Sequence, residues 1–168
     1  MKLDAEKLKS LRWIKYVSDL NRKDWVYQCS EDGMELPEEK IFRLHWNKDD
    51  ARSNPEAPKR GDLMLLLQMK KVSHLVEFLE DSDCVYDLTP DKWGMHRIVK
   101  ALWVSPGVDW AKNVPTTQEV LGYEDIAKDG LAHRLDSRTK MYQFRKRWAA
   151  LGDFQAHVLK RLNSLPSA

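Results

Sequence analysis

A tryptophan and an asparagine are adjacent at positions 46 and 47, within the stretch LHWNKDDAR. Trp46 offers a flat ring on which an unpaired nucleobase can stack, and Asn47 offers a donor and an acceptor that can read the edge of that base. Trp25 and Trp103 lie at the ends of predicted strands, where the rim of a small barrel can hold a ligand. These four residues are therefore candidates for a base-binding pocket.

Basic residues supply candidates for contacts with phosphate groups. The net charge of +2 is uneven, because residues 128–168 hold nine Lys and Arg against three Asp and Glu, a local charge of +6. Such a segment can bind the nucleic-acid backbone, or it can be an ordinary solvated helix face. The candidate phosphate-binding residues are Arg52, Lys59, Arg60, Arg145 and Arg147.

The same residues have a structural interpretation that needs no ligand. Trp46 can belong to the core, and Asn47 can cap a turn at the end of a strand. If both hold, the base-binding hypothesis loses its main support. His74 lies on the apolar side of a predicted strand, which is typical of a hydrogen-bonded core histidine.

Most motifs for catalysis or cofactor binding are missing. The seven glycines form neither GxGxxG nor GxxxxGK[ST], and the sequence has no GxSxG elbow and no CxxC pair. We therefore expect no cofactor, no bound metal and no enzymatic activity. One alternative stays open, a magnesium-dependent nuclease that uses His45, Asp49 and Asp50 as metal ligands.

The hydrophobic pattern predicts strands in the middle of the chain and helices at both ends. Apolar residues three positions apart predict a short helix near residues 4–18. Alternating or continuous apolar runs predict strands, with the third and fourth forming either a hairpin or one long bent ribbon. The predicted strands span residues 24–29, 41–46, 63–69, 71–81 and 96–106.

The C-terminal third changes to a helical pattern. Thr116 and Glu119 have the spacing of a capping box, which predicts that a helix begins there. A long amphipathic helix, or two shorter ones separated near Gly152, follows from residue 139 onward.

Together these elements predict a single α+β domain over residues 1–168. Its core is a small antiparallel β-barrel at about residues 24–105, flanked by an N-terminal helix and by a C-terminal helical extension at about 116–163. No apolar run is long enough to span a bilayer, and the charged N-terminus lacks a signal-peptide core. We therefore expect a cytoplasmic protein that does not contact membranes.

The order of several of these residues resembles the PUA-like superfamily, most of all its EVE branch, whose relatives include YTH and ASCH domains. The resemblance covers about residues 24–105, where Gly61 and Asp62 lead into an apolar strand, and its remaining residues are Trp46, Asn47, Ala51, Arg52 and Lys59. It implies a PUA-like β-barrel that binds DNA or RNA without cutting it. Several such domains hold a modified base in an aromatic pocket, which makes Trp46 and Asn47 pocket candidates and Arg52 a backbone contact.

A protein-interaction module is the alternative function. In this interpretation the amphipathic C-terminal helix docks on a protein partner through Trp148 and Phe154.

Overall fold

The computed structural model describes residues 3–18, 27, 40–81, 85–86, 94–105, 114–124, 126–137 and 141–166. Within these residues the fold is α+β, as predicted. The helices are α1 (Ala5–Leu8), α2 (Thr117–Leu121), α3 (Tyr142–Arg147) and α4 (Leu151–Asn163). The strands are β1 (Leu11–Tyr16), β2 (Ile41–Trp46), β3 (Leu63–Gln68), β4 (Lys71–Phe78), β5 (Val85–Tyr86), β6 (Met95–Val104) and β7 (Ala132–Arg134).

Six strands form one curled sheet in the order β2-β6-β4-β3-β1-β7, and the short β5 pairs with β6. All neighbours run antiparallel except β1 and β3, which pair in parallel. The prediction of a purely antiparallel sheet is therefore wrong. Parallel pairing is possible here because β2 and its flanking chain lie between β1 and β3 in sequence, which leaves room for a crossover.

The strands predicted at 41–46, 63–69, 71–81 and 96–106 are confirmed. β2 alternates as expected, with Phe42, Leu44 and Trp46 buried, and every residue of β3 is buried. β3 and β4 form the expected hairpin, whose turn residues Met69 and Lys70 both have positive φ, as in a two-residue primed turn. The strand predicted at 24–29 lies outside the described residues except for Tyr27.

The helix predicted near residues 4–18 is wrong over most of its length. α1 is a single turn, and β1 begins three residues later. The register of β1 with β3 shifts between Leu11 and Trp13, which is a β-bulge. The extra residue puts Leu11 and Ile14 in the same hydrophobic cluster. The bulge therefore explains why Leu11 and Ile14 have the three-residue spacing that is typical of a helix although they lie on a strand.

The C-terminal third differs from its prediction in two details. The capping box of Thr116 and Glu119 is confirmed at the start of α2. The chain is extended at Trp148 and Ala150, so α3 and α4 separate there, and Gly152 lies inside α4. The strand β7 lies within the segment predicted to be helical, and both β7 and β1 extend the sheet beyond the predicted limits of 24–105.

Each face of the sheet is buried in its own hydrophobic cluster. Helix α4 covers one face through Phe154, Val158 and Leu162. The other face is the concave interior of the curl. Lys15 and Trp46 lie on strands four spacings apart, about 19 Å in a flat sheet. The Lys15 Nζ nevertheless lies 4.4 Å from the Trp46 ring centroid. The sheet is therefore a half-barrel, and a closed PUA-like barrel is not confirmed.

The loop at residues 47–62, here called the closure loop, joins the two edges of this half-barrel. Asn54 accepts a hydrogen bond from Trp46 Nε1 at 2.8 Å, at the end of edge strand β2. The same side chain accepts from Ala132 N at 2.8 Å and donates to Ala132 O at 2.9 Å, on the opposite edge strand β7. One asparagine therefore connects both sheet edges.

Arg97 attaches the closure loop to the middle of the sheet. Its side chain is fully buried on β6 and donates to the carbonyl oxygens of Pro55 and Pro58 at 2.7 and 3.1 Å. It also donates to Glu80 O at 2.7 Å and lies over the Phe78 ring. These hydrogen bonds replace water around a buried cation, so they hold the loop in one position.

No helix in the described part of the chain has the length and apolar character needed to cross a membrane.

We predict that Asn54→Ala lowers the free energy of unfolding by about 2–3 kcal/mol, because three hydrogen bonds are lost and Trp46 Nε1 is left without an acceptor. Urea unfolding measures this change. Asn47→Ala is the matched control, since it removes only a turn contact and should cost less than about 1 kcal/mol. Equal losses in the two variants would contradict the bridging role of Asn54.

Candidate functional site

Trp46 is a core residue in this structure. Its exposed fraction is 0%, and its Nε1 donates to Asn54. The Lys15 Nζ lies over the ring, and because the whole side chain is buried, neither face is open for a base to stack on. The environment of Trp46 is therefore that of a core residue, which is the interpretation that needs no ligand.

Asn47 makes the contacts of a turn. Its Oδ1 accepts a hydrogen bond from Asp49 N at 3.1 Å, and its own N–H donates to Asp50 Oδ2 at 3.1 Å. These are the local hydrogen bonds that Asn and Asp form after a strand end. Asn47 caps a turn here, as its structural interpretation expects.

The other two predicted pocket tryptophans do not join Trp46. Trp103 is 3% exposed and lies in the cluster on the helix-covered face, whereas Trp46 lies in the concave cluster on the opposite face. Trp25 lies outside the described residues. The structure therefore does not bring Trp46 and Trp103 together as two walls of one pocket.

Three predicted phosphate-binding residues are exposed on the closure loop. They are Arg52, Lys59 and Arg60. The Arg52 Nε lies 3.9 Å from the Glu56 carboxylate, and the Lys59 N–H donates to Asp62 within a tight turn. These residues occupy a different segment from the other two candidates, Arg145 and Arg147, which are exposed on α3.

A cavity of about 290 Å³ lies between the strands β1 and β7, the segment after α2, and the start of α3. This volume is close to the lower end of the range of about 300–1,000 Å³ for small-ligand sites. Its apolar and aromatic wall comes from β1, α3 and the segment after α2. The residues that line it are Ile14, Tyr123, Ile126, Ala127, His133, Met141, Tyr142, Gln143 and Phe144.

The mouth of the cavity is marked by Tyr142, which lines it and is nevertheless 63% exposed. Tyr142 is the first residue of α3, and the same helix ends with Arg145, Lys146 and Arg147. All three are exposed, and none forms an ion pair with a carboxylate in the part of the chain that the structure describes. An accessible aromatic ring and three cations thus lie on one short helix.

The inner wall of the cavity carries two polar groups. His133 Nε2 lies 2.9 and 3.0 Å from the two carboxylate oxygens of Asp129. The hydroxyl of Tyr123 is buried and has no hydrogen-bond partner among the described residues. Buried polar atoms normally have partners, and this hydroxyl, which has almost no accessible surface, is an exception.

Lys15 contacts both the segment that precedes His133 and the ring of Trp46. The side chain is buried, and its ammonium donates to Gly130 O, one residue after Asp129. Burial lowers the pKa of Lys15 to about 7, although the carboxylates of Asp50 and Asp129 act to raise it. Because the closure loop carries Asp50 and Trp46 precedes it, Lys15 joins the segment before β7 to the closed edge of the half-barrel.

The predicted docking face of the C-terminal helix is used within the fold. Phe154 is 0% exposed, and Trp148 packs against it while its Nε1 donates to Leu121 O at 2.7 Å. Phe154 is therefore not available on the surface, and Trp148 is partly buried against it.

Two further predictions concern histidines. His74 is 1% exposed and hydrogen-bonded to Ser73 and to Tyr27 O, so the prediction of a core histidine is confirmed. Burial lowers its pKa to about 4, although the Tyr27 contact acts in the opposite direction. For the nuclease alternative, no cluster of three or more His, Cys, Asp or Glu side chains suited to a metal ion occurs among the described residues.

Sequence reasoning missed the residues that line the cavity. The signal was present in YQFRKRW at 142–148, which combines three aromatic and three consecutive basic residues, and in the four-residue spacing of Asp129 and His133. The contact between His133 and the start of α3 could not be predicted. Strand β7, which carries His133, has only three residues and no clear sequence pattern.

No protein-family model, curated protein or solved structure matches this chain. The resemblance to the EVE branch therefore stays a prediction.

Lys15→Met should reduce the dependence of stability on pH. Between about pH 7 and pH 10.5 the unfolded chain retains the Lys15 proton and the folded chain has lost it, so the free energy of unfolding rises with pH in this window. Methionine does not titrate, so the variant loses the contribution of Lys15 to the rise of the free energy of unfolding with pH. Urea unfolding at several pH values between about 7 and 9.5 measures the slope.

Lys160→Met, on an exposed position of α4, is the control and should keep the wild-type slope. A Lys15→Met variant whose stability rises with pH as steeply as that of the wild type would contradict the buried, neutralised amine.

Proposed function

We propose that the chain binds nucleic acid without cutting it and holds one unstacked base, modified or unmodified, at the cavity beside α3. The observation that carries this proposal is the position of Tyr142, which is both part of the cavity wall and largely exposed. An exposed ring at the mouth of an apolar cavity offers a surface on which a base can stack as it enters.

The charges around the cavity support the same function. Arg145, Lys146 and Arg147 follow Tyr142 on one short helix and remain accessible to phosphate groups. Arg145 donates to Ser137 O at 2.7 Å, and Arg147 lies 4.3 Å from the Trp148 ring centroid. These contacts orient the two guanidinium groups without neutralising them. A nucleic-acid backbone that follows α3 would therefore meet positioned cations.

This proposal keeps the predicted class of ligand but moves the site. The closure loop supplies hydrogen bonds that close the half-barrel, whereas the cavity supplies apolar walls, a free aromatic face and polar groups. Arg145 and Arg147 stay candidate phosphate contacts in both versions.

Tyr142→Ala should weaken binding of a fluorescently labelled single-stranded oligonucleotide by about tenfold or more, because loss of one stacking partner costs about 1–3 kcal/mol. Fluorescence anisotropy measures the affinity, with oligonucleotides that carry a modified or an unmodified base. Raising the salt concentration should weaken binding, and Arg145→Ala should reduce the salt dependence by about one phosphate contact.

Trp46→Phe is the matched aromatic control. It removes the hydrogen bond to Asn54 and lowers stability, but it should leave the affinity unchanged because the ring does not reach the surface. The proposal fails if the wild-type protein binds none of the oligonucleotides, or if Tyr142→Ala binds as tightly as the wild type.

A further inference from the structure

Two tight turns lie at one end of the half-barrel, on either side of the start of β1. The turn at 59–62 leads into β3, and the turn at 134–137 begins at the last residue of β7. In each turn the N–H of the last residue donates to the carbonyl oxygen of the first, at 2.9 Å and 3.0 Å. The strands β3 and β7 are the two sheet neighbours of β1, so the turns lie about 10 Å apart, which is two strand spacings.

The turn at 134–137 carries two exposed guanidinium groups. Arg134 Nε lies 2.6 Å from Asp136 Oδ1, and Arg134 Nη2 donates to Asp136 Oδ2 at 3.1 Å. Arg145 reaches the same turn from α3, where its Nη1 donates to Ser137 O at 2.7 Å. A guanidinium has five N–H groups, so both side chains keep donors for a further anion. A cation of α3 is therefore attached to the turn that follows β7.

The start of β1 connects this turn to the turn before β3. Arg12 O accepts a hydrogen bond from Leu135 N at 2.8 Å, and the Arg12 Nε lies 4.0 Å from Asp62 Oδ1. Asp62 Oδ2 also accepts from Trp13 Nε1 at 2.9 Å and from Lys59 N at 3.0 Å. Asp62 thus fixes its turn against β1, and the exposed Arg12 side chain lies between the two turns.

These contacts place five exposed cations along one end of the half-barrel, in a row that we call the basic strip. In spatial order its members are Arg145, Arg134, Arg12, Lys59 and Arg60. Two carboxylates, Asp62 and Asp136, contact the strip, but exposed ion pairs are weak and two carboxylates do not balance five cations. The strip therefore offers an excess of positive charge at positions that hydrogen bonds to the fold hold in place.

We infer that the basic strip binds the sugar–phosphate backbone of the strand whose base occupies the cavity beside α3. Arg145 is the junction, because it belongs to the helix at the cavity mouth and also contacts the turn after β7. From there the backbone crosses the end of the half-barrel, past β7 and β1, to the turn before β3. The ligand class is thus a single-stranded nucleic acid several nucleotides long. This inference rests on the nucleic-acid binding proposed above.

Removing two charges at the far end of the strip should weaken binding and lower its salt dependence. The variant with both Arg12→Gln and Arg60→Gln should bind an oligothymidylate of about twelve nucleotides about tenfold more weakly at about 0.1 M salt. The slope of log affinity against log salt concentration should fall by about 1.4, since each lost contact with a single strand contributes about 0.7. Fluorescence anisotropy at several salt concentrations measures both quantities, and urea unfolding checks that the variant is folded.

Two matched variants separate a phosphate contact from a general effect of charge. Lys70→Gln with Lys160→Gln removes the same charge from the β3–β4 turn, at the opposite end of β3, and from α4, so affinity and slope should stay near the wild-type values. Arg12→Lys with Arg60→Lys keeps both charges and should also keep most of the slope. An unchanged slope in the glutamine variant of the strip, or an equal fall in the Lys70 and Lys160 variant, would overturn the inference.

An NMR titration with the same oligothymidylate locates the path on the wild-type protein. Backbone amides of residues 11–13, 59–62 and 134–137 should shift together with those around the cavity. If the amides of 11–13 and 59–62 do not move at saturation, the backbone does not follow the strip.

The two proposals fail in distinguishable ways. If no oligonucleotide binds, nucleic-acid binding is wrong and the role of the basic strip falls with it. If Tyr142→Ala weakens binding while the Arg12 and Arg60 glutamine variant binds with wild-type affinity and slope, the base still stacks at the cavity and only the path of the backbone is wrong.

Discussion

Asn54 joins two strands that are at opposite edges of the sheet. Its hydrogen bonds to Trp46 and to Ala132 hold β2 next to β7, and the curl of the other strands follows from this closure. A curled sheet buries its concave side without a second layer, which is how one sheet supports two hydrophobic clusters. Lys15 is then enclosed between the two edges, where its Nζ contacts both the Trp46 ring and Gly130 O.

The closure also determines where a ligand can bind. Because the closure loop and Trp46 are used to join the sheet edges, their polar and aromatic groups are occupied within the fold. β7 is held at the sheet edge by the same contacts, and its His133 points to the other face, toward α3. The hydrogen bonds between Asn54 and Ala132 therefore also hold the strand that carries His133, a residue of the cavity wall.

Local signals in the sequence predicted much of the fold. The alternation of apolar and polar residues predicted β2, and the continuous apolar run predicted β3. The capping box predicted the start of α2. The sequence could not reveal the bulge in β1 or the parallel pairing of β1 with β3, since both arise from contacts between distant segments. The site was harder to predict for the same reason. Trp46 and Asn47 looked like a pocket because the sequence does not show which residue accepts the hydrogen bond of Trp46 Nε1. Only the folded structure identifies that acceptor as Asn54.

The location of the binding site is the central claim, and an NMR titration with a single-stranded oligonucleotide tests it most directly. Proton–nitrogen spectra of the labelled protein report each backbone amide and each tryptophan indole separately. Binding at the cavity should give saturable shifts among residues 122–145 and an unmoved Trp46 indole signal, because that N–H stays bound to Asn54. Shifts centred on Trp46 and Asn47, with residues 122–145 unchanged, would contradict it.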